Sequence, residues 1–262
     1  MRKIGQRTRE KPFLRQPQAT NVASLQIRPT IYPWVRHAIF NRGDTTEMTQ
    51  LDYKLAYRKK LPHIQPPGAM LFVTFRLAGS LPTAVLDRLM AEKSSAEERL
   101  SKVEDLDQRH HQAYEEQKKL FAKWDSALDR SQREPRWLQR PDIAKVVADA
   151  LHHLDHHVYE LDTFCIMSNH VHVVFRPLEK EEGTYHALAA IMHSLKRHTA
   201  RQANKKLGRE GKFWQHESYD HVVRDVAELQ RIRRYVLENP VRAGLVDDWR
   251  AWPWSYCLPC EQ

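Results

Sequence analysis

The chain has 262 residues, with 42 Lys and Arg against 33 Asp and Glu, a formal net charge of +9. No apolar run approaches the roughly 18 residues that cross a bilayer, and no signal-peptide stretch opens the chain. Three cysteines make no disulfide framework, and 7 Trp, 9 Tyr and 8 Phe furnish a packed core that excludes a wholly disordered chain. A cytoplasmic protein is expected, and the positive excess favours a polyanionic partner.

Residues 1–30 carry seven basic residues and one acidic residue, Glu10, without periodicity. Residues 1–47 are therefore expected to be a flexible basic extension, or else an over-long start preceding Met48. Residues 48–262 are read as one domain. After Pro66-Pro67-Gly68, the stretch Met70–Leu77 is rich in β-branched and aromatic residues and predicts a first strand. Residues 83–135 are charged, with sparse apolar residues at helical spacing. They predict a helical hairpin or coiled insertion projecting from the domain, clear of the chemistry. Pro141–His153 predicts a helix whose apolar face is Ile143, Val146, Val147 and Ala150. Tyr159–Met167 and His170–Phe175 predict an antiparallel hairpin turning at Ser168-Asn169. A helix follows from about Tyr185 to Lys206, stopped by Gly208. Phe213–Val223 is extended in character. Asp225 is the expected N-cap of a last helix, with Glu228 at the capping-box position and Asn239-Pro240 as its stop. The order predicts an α+β fold with helices packed on a small antiparallel sheet.

The sharpest chemical feature is His170-Val171-His172 in a predicted strand. Side chains alternate along a strand, so both imidazoles share one face, about 7 Å apart along the strand. Two neutral imidazoles and one further ligand make a divalent-metal site with open positions. A bare HxH pair also fits two partly exposed histidines on a sheet edge. Tyr235 lies on the last helix with Asn239 four residues on, sharing its face. A tyrosine beside a metal can attack a phosphodiester, and Asn239 could complete the metal shell. Ordinary core packing beside Ile232 and Val236 is the alternative. Tyr219 is a second nucleophile candidate.

A basic stretch, Lys196, Arg197, Arg201, Lys205, Lys206, Arg209 and Lys212, is followed by Phe213 and Trp214. Charge of this kind follows a phosphate backbone, and a ring such as Trp214 stacks on unpaired bases. A solvated helix face is the plain alternative. The pairs His110-His111, His152-His153 and His156-His157 read as surface residues, and Cys257 with Cys260 as half a zinc site lacking its second pair. No glycine-rich phosphate loop and no hydrolase elbow occur.

Met167-Ser168-Asn169-His170-Val171-His172 resembles the signature of single-tyrosine HUH transposases, and among them the REP-associated tyrosine transposases of bacteria. Pro62-His63-Ile64 with Phe72–Arg76, Phe213-Trp214-Gln215 with Arg224-Asp225, Tyr235 to Val246, and Trp252–Ser255 resemble further motifs of that family in the same order. The resemblance covers about residues 50–256. It implies a ferredoxin-like α+β domain, here with a charged helical insertion, and Mg²⁺ or Mn²⁺ held by His170, His172 and Asn239. It implies attack by Tyr235 on single-stranded DNA at hairpin-forming repeats through a 5′-phosphotyrosine link, in a monomer or homodimer. A domesticated DNA-repeat binder and a water-using metal-dependent nuclease remain as the other readings.

Overall fold

The structure is a computed structural model and describes residues 68–131 and 135–258. The expected basic extension at 1–47, Pro62-His63-Ile64 and Cys260 lie outside the described residues. Five helices and seven strands follow in chain order: β1 (Leu71–Leu77), α1 (Thr83–Ser101), α2 (Leu106–Arg130), α3 (Pro141–Leu154), β2 (Tyr159–Ile166), β3 (His170–Pro177), β4 (Glu179–Glu181), β5 (Thr184–Tyr185), α4 (Leu188–Leu207), β6 (Trp214–Val222), α5 (Val226–Arg242) and β7 (Ser255–Cys257).

The main sheet runs β6-β1-β3-β2-β7, and every neighbouring pair is antiparallel. The first four positions are those of a ferredoxin-like sheet built from two interleaved βαβ units. The helices α3 and α4 connect strands that are separated by one antiparallel neighbour. Alternation along the strands divides the side chains between two faces. Val73 and Phe75 of β1 and Val171, Val173 and Phe175 of β3 join Ile143, Val147, Ile191 and Leu195 in the larger core under α3 and α4. Phe72, Val174 and Cys165 join Leu229 and Val236 in a smaller core under α5. The two histidines belong to this second face.

Local signals set the element ends. Asp225 is the N-cap of α5, accepting the Glu228 backbone N–H at 2.7 Å. The Glu228 carboxylate reaches back to the Arg224 N–H at 2.8 Å, a capping box displaced by one residue. Gly208 ends α4 in the left-handed conformation, φ 62°, which costs glycine nothing. A register shift in β2 between Leu161 and Thr163 accompanies the pairing of Asp162 with Arg233 of α5 in a buried ion pair.

Two expectations are corrected. Asn239-Pro240 does not stop α5, which continues to Arg242. Proline so close to a helix end removes little, because the last turn is closed by Ala243 N–H to Asn239 O (2.9 Å) and Leu245 N–H to Pro240 O (2.9 Å). The charged insertion is indeed a helical hairpin, with Asp105 capping α2 through the Gln108 N–H at 2.6 Å. It does not simply project. Tyr114, Phe121 and Leu128, seven residues apart along α2, turn towards the domain: Tyr114 donates to Glu228, and Phe121 packs with the second core.

Candidate active site

His170 and His172 stand on β3, between β1 and β2 and not at an edge. Their side chains are 1% and 0% exposed. Their Nε2 atoms lie 3.0 Å apart, so the shared face inferred from alternation holds. Val171 points the other way into the larger core. Each ring is held from behind. His170 Nδ1 lies 2.7 Å from Asn169 Oδ1, while Asn169 Nδ2 donates to Leu128 O at 3.0 Å. The amide oxygen can only accept, so His170 Nδ1 carries the proton and its Nε2 presents a lone pair. His172 Nδ1 lies 2.7 Å from Thr74 Oγ1 of β1. Burial, followed by the neighbouring His172, lowers His170 to about 3, which keeps the ring neutral and able to bind a cation near pH 7.

Asn239 is fully buried one helical turn after Tyr235, with Nδ2 2.8 Å from His172 Nε2 and Oδ1 lacking a hydrogen-bond partner. Turning the amide over would bring that oxygen to the same point. The Tyr235 ring is 5.7 Å from the His172 ring. Its hydroxyl donates to Asp125 Oδ2, and the Arg242 guanidinium lies over its face at 4.1 Å. Burial, then the Asp125 charge, push Tyr235 well above the ordinary phenol range. Tyr219 lies across the β1–β6 pairing from Thr74. It stacks on Phe121 at 4.3 Å, and burial raises its pKa above the ordinary phenol range.

The residue absent from the sequence reading is Asp125. It comes from α2 of the insertion, is 3% exposed, and places Oδ1 3.1 Å from His172 Nε2 and 3.6 Å from His170 Nε2. Asp129, one turn on, lies 4.0 Å from His170 Nε2. Burial pushes Asp125 up, but the charge of His172 and its hydrogen bond outweigh this and hold it well below the usual carboxylate range. Burial, then the charge of Asp125, push Asp129 up to about 6. The expectation that the insertion stays clear of the chemistry is therefore overturned. Phe121, Asp125 and Leu128 follow each other at i, i+4 and i+7, and a carboxylate in such a stripe is the signal that could have found it.

Asp125, His170 and His172 each offer a ligand atom within 4.8 Å of the others. Buried Oδ1 atoms of Asp129 and Asn239 lack hydrogen-bond partners. Two imidazole nitrogens facing each other, with orphaned oxygens around them, fit a divalent cation.

The basic stretch is not assembled with this site. Its helix, α4, covers the other face of the sheet. Arg197, Arg201, Lys205, Lys206 and Lys212 are exposed there. Lys196 is instead tied down, donating to the Gln215, His216 and Glu217 carbonyls at 2.9, 3.0 and 3.3 Å and to Ser218 Oγ at 2.7 Å. Burial lowers its pKa to about 8. Trp214 is not offered to a base: it is 6% exposed and donates from Nε1 to Thr199 Oγ1 at 2.8 Å. Arg209 lies 4.1 Å from the Trp137 ring and bonds Asn204 Oδ1 at 2.6 Å. The described histidine residues His111, His152, His153, His156 and His157 are exposed, as expected.

Residues 132–239 match the family model described as "Transposase IS200 like". The match takes in both histidines, Tyr235 and Asn239, and begins after the α1–α2 hairpin that carries Asp125. A protein of Haemophilus influenzae that carries the name of a REP-associated tyrosine transposase is 26% identical over 106 residues. That alignment covers 38% of this chain and 60% of the relative's length. A solved structure described as a REP-associated tyrosine transposase bound to a REP hairpin aligns over 76% of this chain and 81% of its own, at 15% identity and a TM-score of 0.42. The family resemblance read from the motifs is thus met by sequence matches that do not depend on the fold. No described helix is long and apolar enough to cross a membrane.

Proposed function

We propose that the chain is a metal-dependent single-stranded DNA transposase that cleaves and rejoins DNA at hairpin-forming repeats. The observation that carries this reading is the meeting of Tyr235, His172 and Asn239 in one buried cluster, inside the segment that matches the transposase model. His170, His172 and Asn239 would hold Mg²⁺ or Mn²⁺. When bound, the ion would offset the charge of a scissile phosphate and stabilise the departing oxygen. Tyr235 Oη would attack phosphorus, the P–O3′ bond would break, and the 3′ oxygen would leave with a proton as a free hydroxyl. The bond formed is a 5′-phosphotyrosine, which keeps a phosphodiester's energy available for rejoining without a nucleotide. Arg242, beside the phenol, would receive phosphate oxygens.

The test is a denaturing gel of the full chain with Mn²⁺ or Mg²⁺ and labelled single-stranded hairpin DNA from the flanks of its own gene. A covalent adduct lost in both Tyr235→Phe and His170→Ala is expected. One observation favours a second reading, a water-using nuclease: Asp125 and Asp129 stand beside the histidines, where carboxylates could orient a water. Cleavage without an adduct, persisting in Tyr235→Phe, would select it. Tight hairpin binding with neither product would select a domesticated repeat binder.

A further inference from the structure

A strand attacked by Tyr235 must bring phosphorus next to the tyrosine oxygen and present non-bridging oxygens towards the histidine pair. Both places are already taken by one side chain. Asp125 Oδ2 accepts the Tyr235 hydroxyl and lies 3.6 Å from an Arg242 nitrogen, while Oδ1 lies 3.1 Å from His172 Nε2. An anion held by a phenol, a guanidinium and the two imidazole edges is a carboxylate in the position of a phosphate.

The likeness to a strand continues along α2. Phe121, one turn or about 6 Å before Asp125, stacks on Tyr219 at 4.3 Å and 28° and meets the edge of Phe72 at 5.4 Å. A flat ring laid on an aromatic platform is how unpaired bases are held. Asp129 places a second carboxylate one turn further on. Trp124 covers the guanidinium of Arg76 at 5.6 Å. The helix thus sets anions and a ring against a tyrosine, two arginines and an aromatic surface.

The hairpin is also built as a unit that can leave. Arg99–Glu116 (3.0 Å) and Lys123–Glu92 (2.6 Å) join α1 to α2. Its backbone approaches the sheet less closely than that of α5 does. Beyond the contacts of Asp125 and Asp129 with the site, the hydrogen bonds seen between the hairpin's described residues and the domain are Asn169 to Leu128 O, Tyr114 to Glu228 at 2.5 Å, and Gln117 to Asp220 O at 3.5 Å.

We propose that α2 is an internal mimic of single-stranded DNA, with Asp125 in the place of the scissile phosphate and Phe121 in the place of a base, and that the α1–α2 hairpin must lift before DNA can enter. This rests on the transposase reading for the identity of the strand. Because the apparent affinity is reduced by the fraction of closed molecules, removing the mimic must tighten binding. The full-length wild type, Asp125→Asn and Phe121→Ala are compared by anisotropy with a fluorescein-labelled single-stranded hairpin oligonucleotide and by the rate of adduct formation. Expected are roughly tenfold tighter binding in each variant and a faster adduct in Asp125→Asn. Hydrogen exchange of the wild type is measured with and without the oligonucleotide. Residues 106–130 are expected to lose protection on binding while 141–154 keep theirs. Loss of the adduct with unchanged or weaker binding in Asp125→Asn would overturn the mimic and make the carboxylate a required ligand. Undiminished protection of 106–130 in the complex would also overturn it. Tighter binding and exposed 106–130 without any adduct would uphold the mimic while sinking the tyrosine chemistry. No binding by any of the three proteins would overturn both.

Discussion

Thr74 Oγ1 stands 2.7 Å from His172 Nδ1, across the β1–β3 register that pairs the same two residues. One strand thereby fixes how the other's imidazole is turned. Partners of this kind set ring orientation and are worth about 10–100-fold in metal affinity. Thr74→Val keeps the volume and removes the oxygen. Its Mn²⁺ affinity, titrated calorimetrically, is expected to fall by about 10–100-fold with the melting temperature little changed. Unchanged affinity would show that packing alone orients His172.

Arg233 and Asp162 form an ion pair between α5 and β2 with side chains only 5% and 6% exposed. Removing one partner strands the other charge in the interior, at about 3–5 kcal/mol. Arg233→Met is expected to lower the urea midpoint accordingly. Arg233→Met with Asp162→Leu should recover much of the loss, since no charge is then left unpaired. A double variant no better than the single one would contradict this account.

Acid stability should depend on Glu228. Burial pushes its carboxyl up, but hydrogen bonds from His221 and Tyr114 and from the Arg224 N–H outweigh this and hold it well below the ordinary glutamate value. The folded chain therefore binds the proton less readily than the unfolded chain. The resulting stability is present above the unfolded value, near pH 4.5, and is lost as pH falls below it. Glu228→Gln is expected to be less stable at pH 7 and to show a flatter acid limb in unfolding curves collected between about pH 3 and 6. An acid limb as steep as the wild type's would assign the dependence elsewhere.

The two kinds of cationic residue on α4 should separate cleanly. Lys196→Met leaves the 215–217 carbonyls without their donor and is expected to cost about 1–3 kcal/mol of stability. Arg201→Ala and Lys205→Ala are expected to leave melting unchanged. If their face tracks a single strand, the slope of log affinity against log salt falls by about 0.7 for each phosphate that loses its cation. Equal salt slopes in both variants and the wild type would remove α4 from the DNA path.

Much of the fold from residue 141 to 242 is legible in the sequence because each element carries one clear period. Ile143, Val147 and Ala150 mark a helix stripe, and Val171, Val173 and Phe175 an alternating strand. His170, His172, Tyr235 and Asn239 are legible for the same reason, since strand and helix periodicities place them on common faces. Trp214 misleads because a ring after a basic run suggests a base-stacking platform. Its burial depends on a partner fifteen residues away, Thr199, which no local pattern reveals. Asp125 is hidden because its surroundings are so charged that the helix reads as solvated. The stripe of Phe121 and Leu128 that flanks it is short, and their tertiary packing on the domain shows that this side is inside. Pro240 suggests a stop, but its position in the final turn leaves most of the helix's hydrogen bonds intact.

The α1–α2 hairpin occupies the connection from β1 to α3, where the chain passes from one face of the sheet to the other. Chain added there falls on the histidine face without disturbing the order or register of any strand. On the proposed reading, restraint and chemistry would be written in separate stretches of sequence, 83–130 for one and 170–239 for the other. A hairpin in that position could be lengthened, weakened or exchanged without altering the order of the strands that carry His170 and His172.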